Sequence, residues 1–149
     1  MRSSLSSFMA TNGYPSSEMV SIGLVSSNQI LVLTKEPDLG DLVTEWLELK
    51  LNVKTTIAAS LFLSGVAIGQ HPPSVFIIDT TTVQIQLSDT LRKLASIKSC
   101  QNTNIILVSG PRGIPKPPPN TTVLRQPLNL EQLRVTVEEM LTGTNSNGA

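Results

Sequence analysis

The chain is short of cysteine, histidine, aromatic side chains and net charge, and each shortage closes off a class of function. Cys100 is alone, so neither an intrachain disulfide framework nor a cysteine zinc site can form, and a reducing intracellular setting fits best. His71 is the sole histidine, placed beside Pro72-Pro73 in a turn; one chain can build neither a metal site nor a catalytic triad on it. Ser64 and Ser109 have no base near them in the pattern, which leaves nucleophilic catalysis without support. Aromatics make up 3% of the residues, too few to stack single-stranded nucleic acid. Eleven basic and eleven acidic side chains cancel, so the electrostatic footprint of nucleic-acid or anionic-membrane binding is missing. No apolar run approaches the roughly 20 residues that span a bilayer, and a soluble, cytoplasmic chain is expected.

What is present suits one domain. A length of 149 residues with 40% apolar content allows a sizeable core. Residues 1–28 are rich in Ser and low in acid, carrying Arg2 and a single Glu18; the composition fits a disordered linker and, as the alternative, an organelle transit peptide. The tail 142–149 is Gly, Asn and Ser and is also expected to be disordered. The folded domain is expected over 29–141.

Within it, short apolar runs alternate with helical periodicity. Gln29 to Leu33 reads as a strand, and Glu36-Pro37-Asp38 as a turn whose aspartate caps the next helix. Leu39, Leu42, Val43, Trp46 and Leu47 recur on one helical face. Val53 to Ala58 is a β-branched strand, and Leu61 to Gly69 a helix apolar all round, either packed deep in the core or covered by a partner. Val75 to Asp79 is the third strand. Leu87, Leu91, Leu94 and Ala95 mark a helix after the Thr80-Thr81-Thr82 loop, and Ile105 to Val108 a strand ending at Ser109. Val123-Leu124 is the last strand, and Asn129 caps a helix carrying Leu130, Leu133, Val137 and Leu141. Continuous apolar strands alternating with helices imply an α/β fold: a doubly wound, five-stranded parallel sheet of the flavodoxin-like kind with helices on both faces.

One helix of that alternation is replaced. The connection from Gly110 to Asn120 carries Pro111, Pro115, Pro117, Pro118 and Pro119, with Arg112 and Lys116 between them, and the prolines forbid a helix. The run is a candidate interaction loop, as a polyproline ligand for an aromatic-lined groove, or a stiff connector. Gly110-Pro111-Arg112-Gly113 after a strand lacks the lysine and the following helix of a phosphate loop.

The residues from Gln29 to Leu141 resemble a response-regulator receiver (CheY-like) domain. Ile30-Leu31-Val32-Leu33-Thr34-Lys35-Glu36-Pro37 looks like the family's first strand, in which a pair of aspartates falls on Thr34 and Lys35. Pro73 to Asp79 resembles the third strand with its phosphoacceptor aspartate. Ser109 matches the hydroxyl residue ending the fourth strand, and Gln126-Pro127 the Lys-Pro after the fifth. The resemblance implies that Thr34, Lys35, Glu36, Asp79, Ser109, Gln126 and Pro127 form a vestigial phosphoacceptor pocket.

The departures set the expected function. Active receivers bind Mg²⁺ through two acids and the phosphoacceptor, whereas Thr34 offers a neutral oxygen and Lys35 an ammonium group. Gln126 lacks the lysine's charge, Val123 stands where the switch aromatic would be, and Thr82-Val83-Gln84 replaces the Pro-Gly turn. The resemblance therefore implies a pseudo-receiver with no cofactor and no bound metal, docking onto a kinase or a neighbouring domain of a longer signalling chain. Lys35 is expected to reach Asp79 as its charge partner, with a solvent-facing Lys35 and a capping Asp79 as the alternative. A working phosphoacceptor at Asp79 and a small anion- or nucleotide-binding domain near Lys35 and Arg112 are the rival functions.

Overall fold

Five apolar runs pair side by side in parallel: β1 (Asn28–Leu33), β2 (Val53–Ala58), β3 (Val75–Asp79), β4 (Asn104–Ser109) and β5 (Thr121–Arg125), in the order β2-β1-β3-β4-β5. The computed structural model describes residues 28–110, 114 and 121–143. Expectations placed on 1–27, on Pro111, Arg112, Pro115, Lys116, Pro117, Pro118 and Pro119, and on 144–149 lie outside the described residues.

The central strands read as unbroken apolar runs because both of their faces are covered. Alternate residues serve opposite cores. Ile30, Val32, Val75, Ile77, Ile106 and Val108 join Val43 and Leu47 of α1 (Pro37–Lys50) and Leu133 and Val137 of α5 (Leu130–Thr142). Leu31, Leu33, Phe76, Ile78 and Leu107 join Ile68 of α2 (Leu61–Gln70) and Leu94 of α4 (Leu87–Ser96). Between β3 and α4 lies a short helical turn, α3 (Thr80–Val83), followed by a 3₁₀ turn at Gln84–Gln86.

Several boundaries and faces differ from the sequence-based expectations. Asn28 already belongs to β1 and Thr142 to α5, whose C-cap is Gly143 in the left-handed conformation, the conformation glycine adopts without penalty. Asp38 does not cap α1. Pro37 takes the first helical position and Glu36 the N-cap, with no side-chain cap bond, because proline's fixed φ suits that position. Asp38 is left in the first turn, where its charge faces the positive end of the helix. Leu42 is half exposed, since the buried stripe of α1 runs through Gly40, Val43 and Leu47. A Cβ at Gly40 would lie 3.1 Å from Ile57 Cδ1 and 3.4 Å from Thr34 Cγ2, so α1 approaches β1 and β2 too closely for a larger residue to fit unopposed. Ala95 is exposed on α4.

The all-apolar α2 is not buried all round. Ser64 and Ile68 face the core while Phe62, Leu63 and Val66 are exposed, Phe62 at 77%. Asn129 caps α5 as expected, its side chain accepting from the Gln132 N–H at 2.9 Å. The span Thr80 to Thr82, expected as loop, is the helical turn α3. Its last turn ends on Gln84 at φ 48°, ψ −120°, a conformation natural to glycine and costly for other residues. Gln84→Gly is therefore expected to stabilise the domain by about 1 kcal/mol after the entropy of the added glycine is deducted, measured as a higher urea midpoint at unchanged m-value.

Candidate functional site

The parallel register that pairs Leu33 with Ile78 places the next residues, Thr34 and Asp79, side by side at the C-terminal ends of β1 and β3. The strand order makes this the switch point, since the chain leaves β1 toward β2 on one side and lies against β3 on the other. Open α/β sheets form their binding crevice there. Both side chains are buried, Thr34 at 2% and Asp79 at 1% exposure.

A buried carboxylate needs donors, and threonines supply them here. Thr34 Oγ1 donates to Asp79 Oδ2 at 2.8 Å. Thr81 donates to Oδ1 twice, from its N–H at 3.1 Å and its hydroxyl at 2.7 Å, and Thr82 Oγ1 makes a longer contact with Oδ2 at 3.5 Å. The hydroxyls also accept. Glu36 N–H donates to Thr34 Oγ1 and Lys35 N–H to Thr82 Oγ1, each at 3.0 Å. Each hydroxyl thus relays a backbone N–H of the loop after β1 to the carboxylate, an arrangement in which donors polarise one another. Thr80 Oγ1 completes the tie by donating to the Val108 carbonyl on β4 at 3.2 Å.

Lys35 does not join this network through its side chain. It is exposed and makes no ion pair among the described residues, so the expected Lys35–Asp79 pair is absent and the solvent-facing alternative holds. The reason is strand alternation: Thr34 takes the inward position beside Asp79, and the next residue turns away. Glu36 is exposed and contributes only its N–H. Ser109 is buried but donates to the Gly110 carbonyl at 3.0 Å, not to Asp79. Gln126 is tied by its backbone, its N–H donating to the Ser109 carbonyl at 2.9 Å ahead of a cis bond to an exposed Pro127. Val123 is half-buried on β5 against the α2–α4 core. Of the vestigial pocket, only Thr34 and Asp79 meet through their side chains, with Lys35 and Glu36 entering through their backbone N–H groups. Thr81 and Thr82 were missed as site residues, although an aspartate followed by threonines two and three positions on is the pattern for local capping bonds.

The same architecture recurs among solved structures. A CheY-like response regulator receiver domain from Methylobacillus flagellatus superposes with a TM-score of 0.68 at 16% identity, covering 77% of this chain and 99% of that one. The fold is that of a response-regulator receiver domain. The signal receiver domain of a DNA-binding response regulator from Colwellia psychrerythraea 34H matches at 0.66 and 20% identity, over 78% and 99% of the two chains. A receiver domain protein from Clostridium thermocellum matches at 0.66 and 18%, over 78% and 96%. No protein-family model matches the sequence, and no curated protein matches it.

Against the receiver fold, the donor set at Asp79 does not fit Mg²⁺. The ion demands near-octahedral oxygen coordination, with one or two carboxylates and several waters. Asp79, the single buried carboxylate among the described residues, has both oxygens engaged by hydroxyls, the position matching the first acid holds Thr34, and the next holds the cation Lys35. Among the described residues no group of three or more His, Cys, Asp or Glu side chains could hold a metal ion. Thr34→Val, which keeps the shape and deletes the hydroxyl, is expected to cost about 1–3 kcal/mol by leaving Asp79 Oδ2 with only the longer Thr82 contact and orphaning the Glu36 N–H. Lys35→Ala should change stability by less than about 0.5 kcal/mol. Chemical denaturation of both variants checks the assignment, and the reverse order of costs would return the ion pair.

Proposed function

We propose that this domain is a pseudo-receiver: a non-catalytic interaction or regulatory module of two-component signalling that keeps the receiver fold without Mg²⁺-dependent phosphorylation. The observation that carries the reading is the state of Asp79. At 1% exposure, with both carboxylate oxygens accepting from threonines, it has the surroundings of a structural cap rather than of a nucleophile that must meet a phosphodonor in line. Its neighbours argue the same way, because Thr34 and Lys35 remove the negative charge that would hold a metal ion, and Gln126 removes the cation that would pair with a phosphoryl group.

Regulation by such a domain works through surfaces. A kinase or a neighbouring domain of the same signalling chain is the partner class that goes with the fold, and the exposed Phe62, Leu63 and Val66 row on α2 is the kind of apolar surface that binding covers. A cytoplasmic setting goes with the buried free Cys100 and with two-component signalling. Among the described residues no helix is long and apolar enough to cross a membrane.

Phosphodonor chemistry tests the proposal. Incubation with acetyl phosphate and Mg²⁺, followed by intact mass measurement, is expected to leave the chain without a phosphoryl adduct; an adduct that maps to Asp79 would establish a working phosphoacceptor instead. The double variant Thr34→Asp with Lys35→Asp restores the missing acids, and Mg²⁺ is expected to raise its melting temperature while leaving that of the parent chain unchanged.

A further inference from the structure

The balanced net charge conceals a separation of sign. From Glu36 to Glu48 the chain holds five acids and no base, whereas between Asp89 and Glu131 it holds six bases and no acid. The fold sends α1 and α4, which belong to these two stretches, to opposite faces of the sheet. On the α4 face an open groove of about 510 Å³ lies beside that helix, reaching Ile105 of β4 and Thr121 of β5. Leu91 and Ile105, half-buried, and Ala95, exposed, are its apolar lining. Arg92 also lines it, with its side chain 76% exposed, and no acid does. Lys98 opens the 3₁₀ turn whose Cys100 lines the groove. Arg125 is exposed and two residues on from Val123, which faces the α4 core, so strand alternation puts it on this same side. Asp89 pairs with Arg92 and Lys93 together, one acid against two bases, and the excess here is positive.

The opposite face carries the complement. Asp38, Leu42, Glu45 and Leu49 stand on α1 at the spacing that keeps side chains on one helical face, with Asp41 beside them, and all five are exposed. Leu42 and Leu49 are open at 50% and 75%, unusually so for leucines. None of the three carboxylates makes an ion pair among the described residues. Apolar side chains flanked by acids thus stand on one face of the domain, and an apolar groove flanked by bases on the other.

We infer that the domain associates head to tail with a second copy of this chain, α1 of one copy lying along the α4–β5 groove of the next. Leu42 and Leu49 meet Leu91, Ala95 and Ile105, and the carboxylates of α1 face Arg92, Lys98 and Arg125, opposite charge setting the orientation. The two surfaces differ, so each contact leaves one of each kind free and the association can repeat. A single helix of 14 residues covers less than the roughly 800 Å² per partner of a standard interface, which makes the contact weak and sensitive to salt. None of the side chains around Asp79 takes part, so the inference stands apart from the pseudo-receiver reading, and either can fail alone.

Sedimentation velocity of the full chain tests it, at concentrations up to about 1 mM, the weak end of specific association. The average mass is expected to rise with concentration in about 0.01 M salt and to stay monomeric in about 1 M salt, where charges act over only about 3 Å. Asp41→Asn with Glu45→Gln, and separately Arg92→Gln with Lys98→Gln, should each weaken self-association by about three- to tenfold. At a concentration where each of these is monomeric alone, their mixture is expected to form a pair of one copy of each, since one intact surface of either kind remains. Leu49→Ala changes no charge and should weaken association by a similar factor, which separates docking from bulk attraction. The inference is overturned if the mass does not rise at low salt, if the rise survives high salt, if any of the three variants associates as well as the parent chain, or if the mixture stays monomeric.

Discussion

A carboxylate buried to 1% exposure at the edge of a parallel sheet is the constraint on which this site depends. Without donors it would cost several kcal/mol, and the hydroxyls of Thr34, Thr81 and Thr82 with the Thr81 N–H supply them. Thr34 comes from the end of β1, and Thr81 and Thr82 from the turn that Asp79 itself caps. The same hydroxyls accept the N–H groups of Lys35 and Glu36. That carboxylate thereby joins the loop after β1 to the start of α3, and Thr80 separately ties α3 to the end of β4 through the Val108 carbonyl. Those segments are tied to one another.

The sheet makes this arrangement possible. Residues two apart share a face, so the apolar alternation that buries Val32 and Ile77 under α1 and α5 brings Thr34 and Asp79 to the same face at the switch point. Close packing is the second requirement. Gly40 lets α1 sit where even a Cβ would crowd Ile57 and the Thr34 methyl, and the buried Thr34 hydroxyl bonds the carboxylate out of water's reach. The opposite face is packed less completely, because Ser64 and Gly65 sit where α2 and α4 would otherwise meet. One domain thus has a hydrogen-bonded carboxylate at its switch point and an open groove elsewhere.

Much of the architecture was legible in the sequence, for a physical reason. Strands covered on both faces must be continuous apolar runs, so Val53–Ala58 and Val75–Asp79 announce themselves, and Asn129 announces the start of α5 because its side chain has one obvious use. What failed depends on small angles. Leu42 lies only one step off the buried stripe of α1, and a periodic pattern does not show where the stripe is centred until Gly40 reveals the close approach. Asp38 and Pro37 compete for the start of α1, and proline's fixed backbone decides the position. Lys35 was expected to neutralise Asp79 on charge alone, but strand alternation gives the inward position to Thr34. The threonines after Asp79 looked like a featureless loop because their role is local hydrogen bonding, which leaves no periodic trace. The connection rich in proline lies outside the described residues, so its two readings stand as they were.

On the proposed reading, threonine hydroxyls hold Asp79 where a working receiver would place a metal ion. Amide NMR of the domain in the presence of Mg²⁺, followed by the phosphoryl mimic beryllofluoride, addresses it most directly, because the amides of Lys35, Glu36 and Thr81 are themselves donors in the network. These resonances are expected to stay where they are through both additions. Saturable shifts of those amides together with Ser109 would show that Asp79 opens to take a metal ion and a phosphoryl group, and would contradict it.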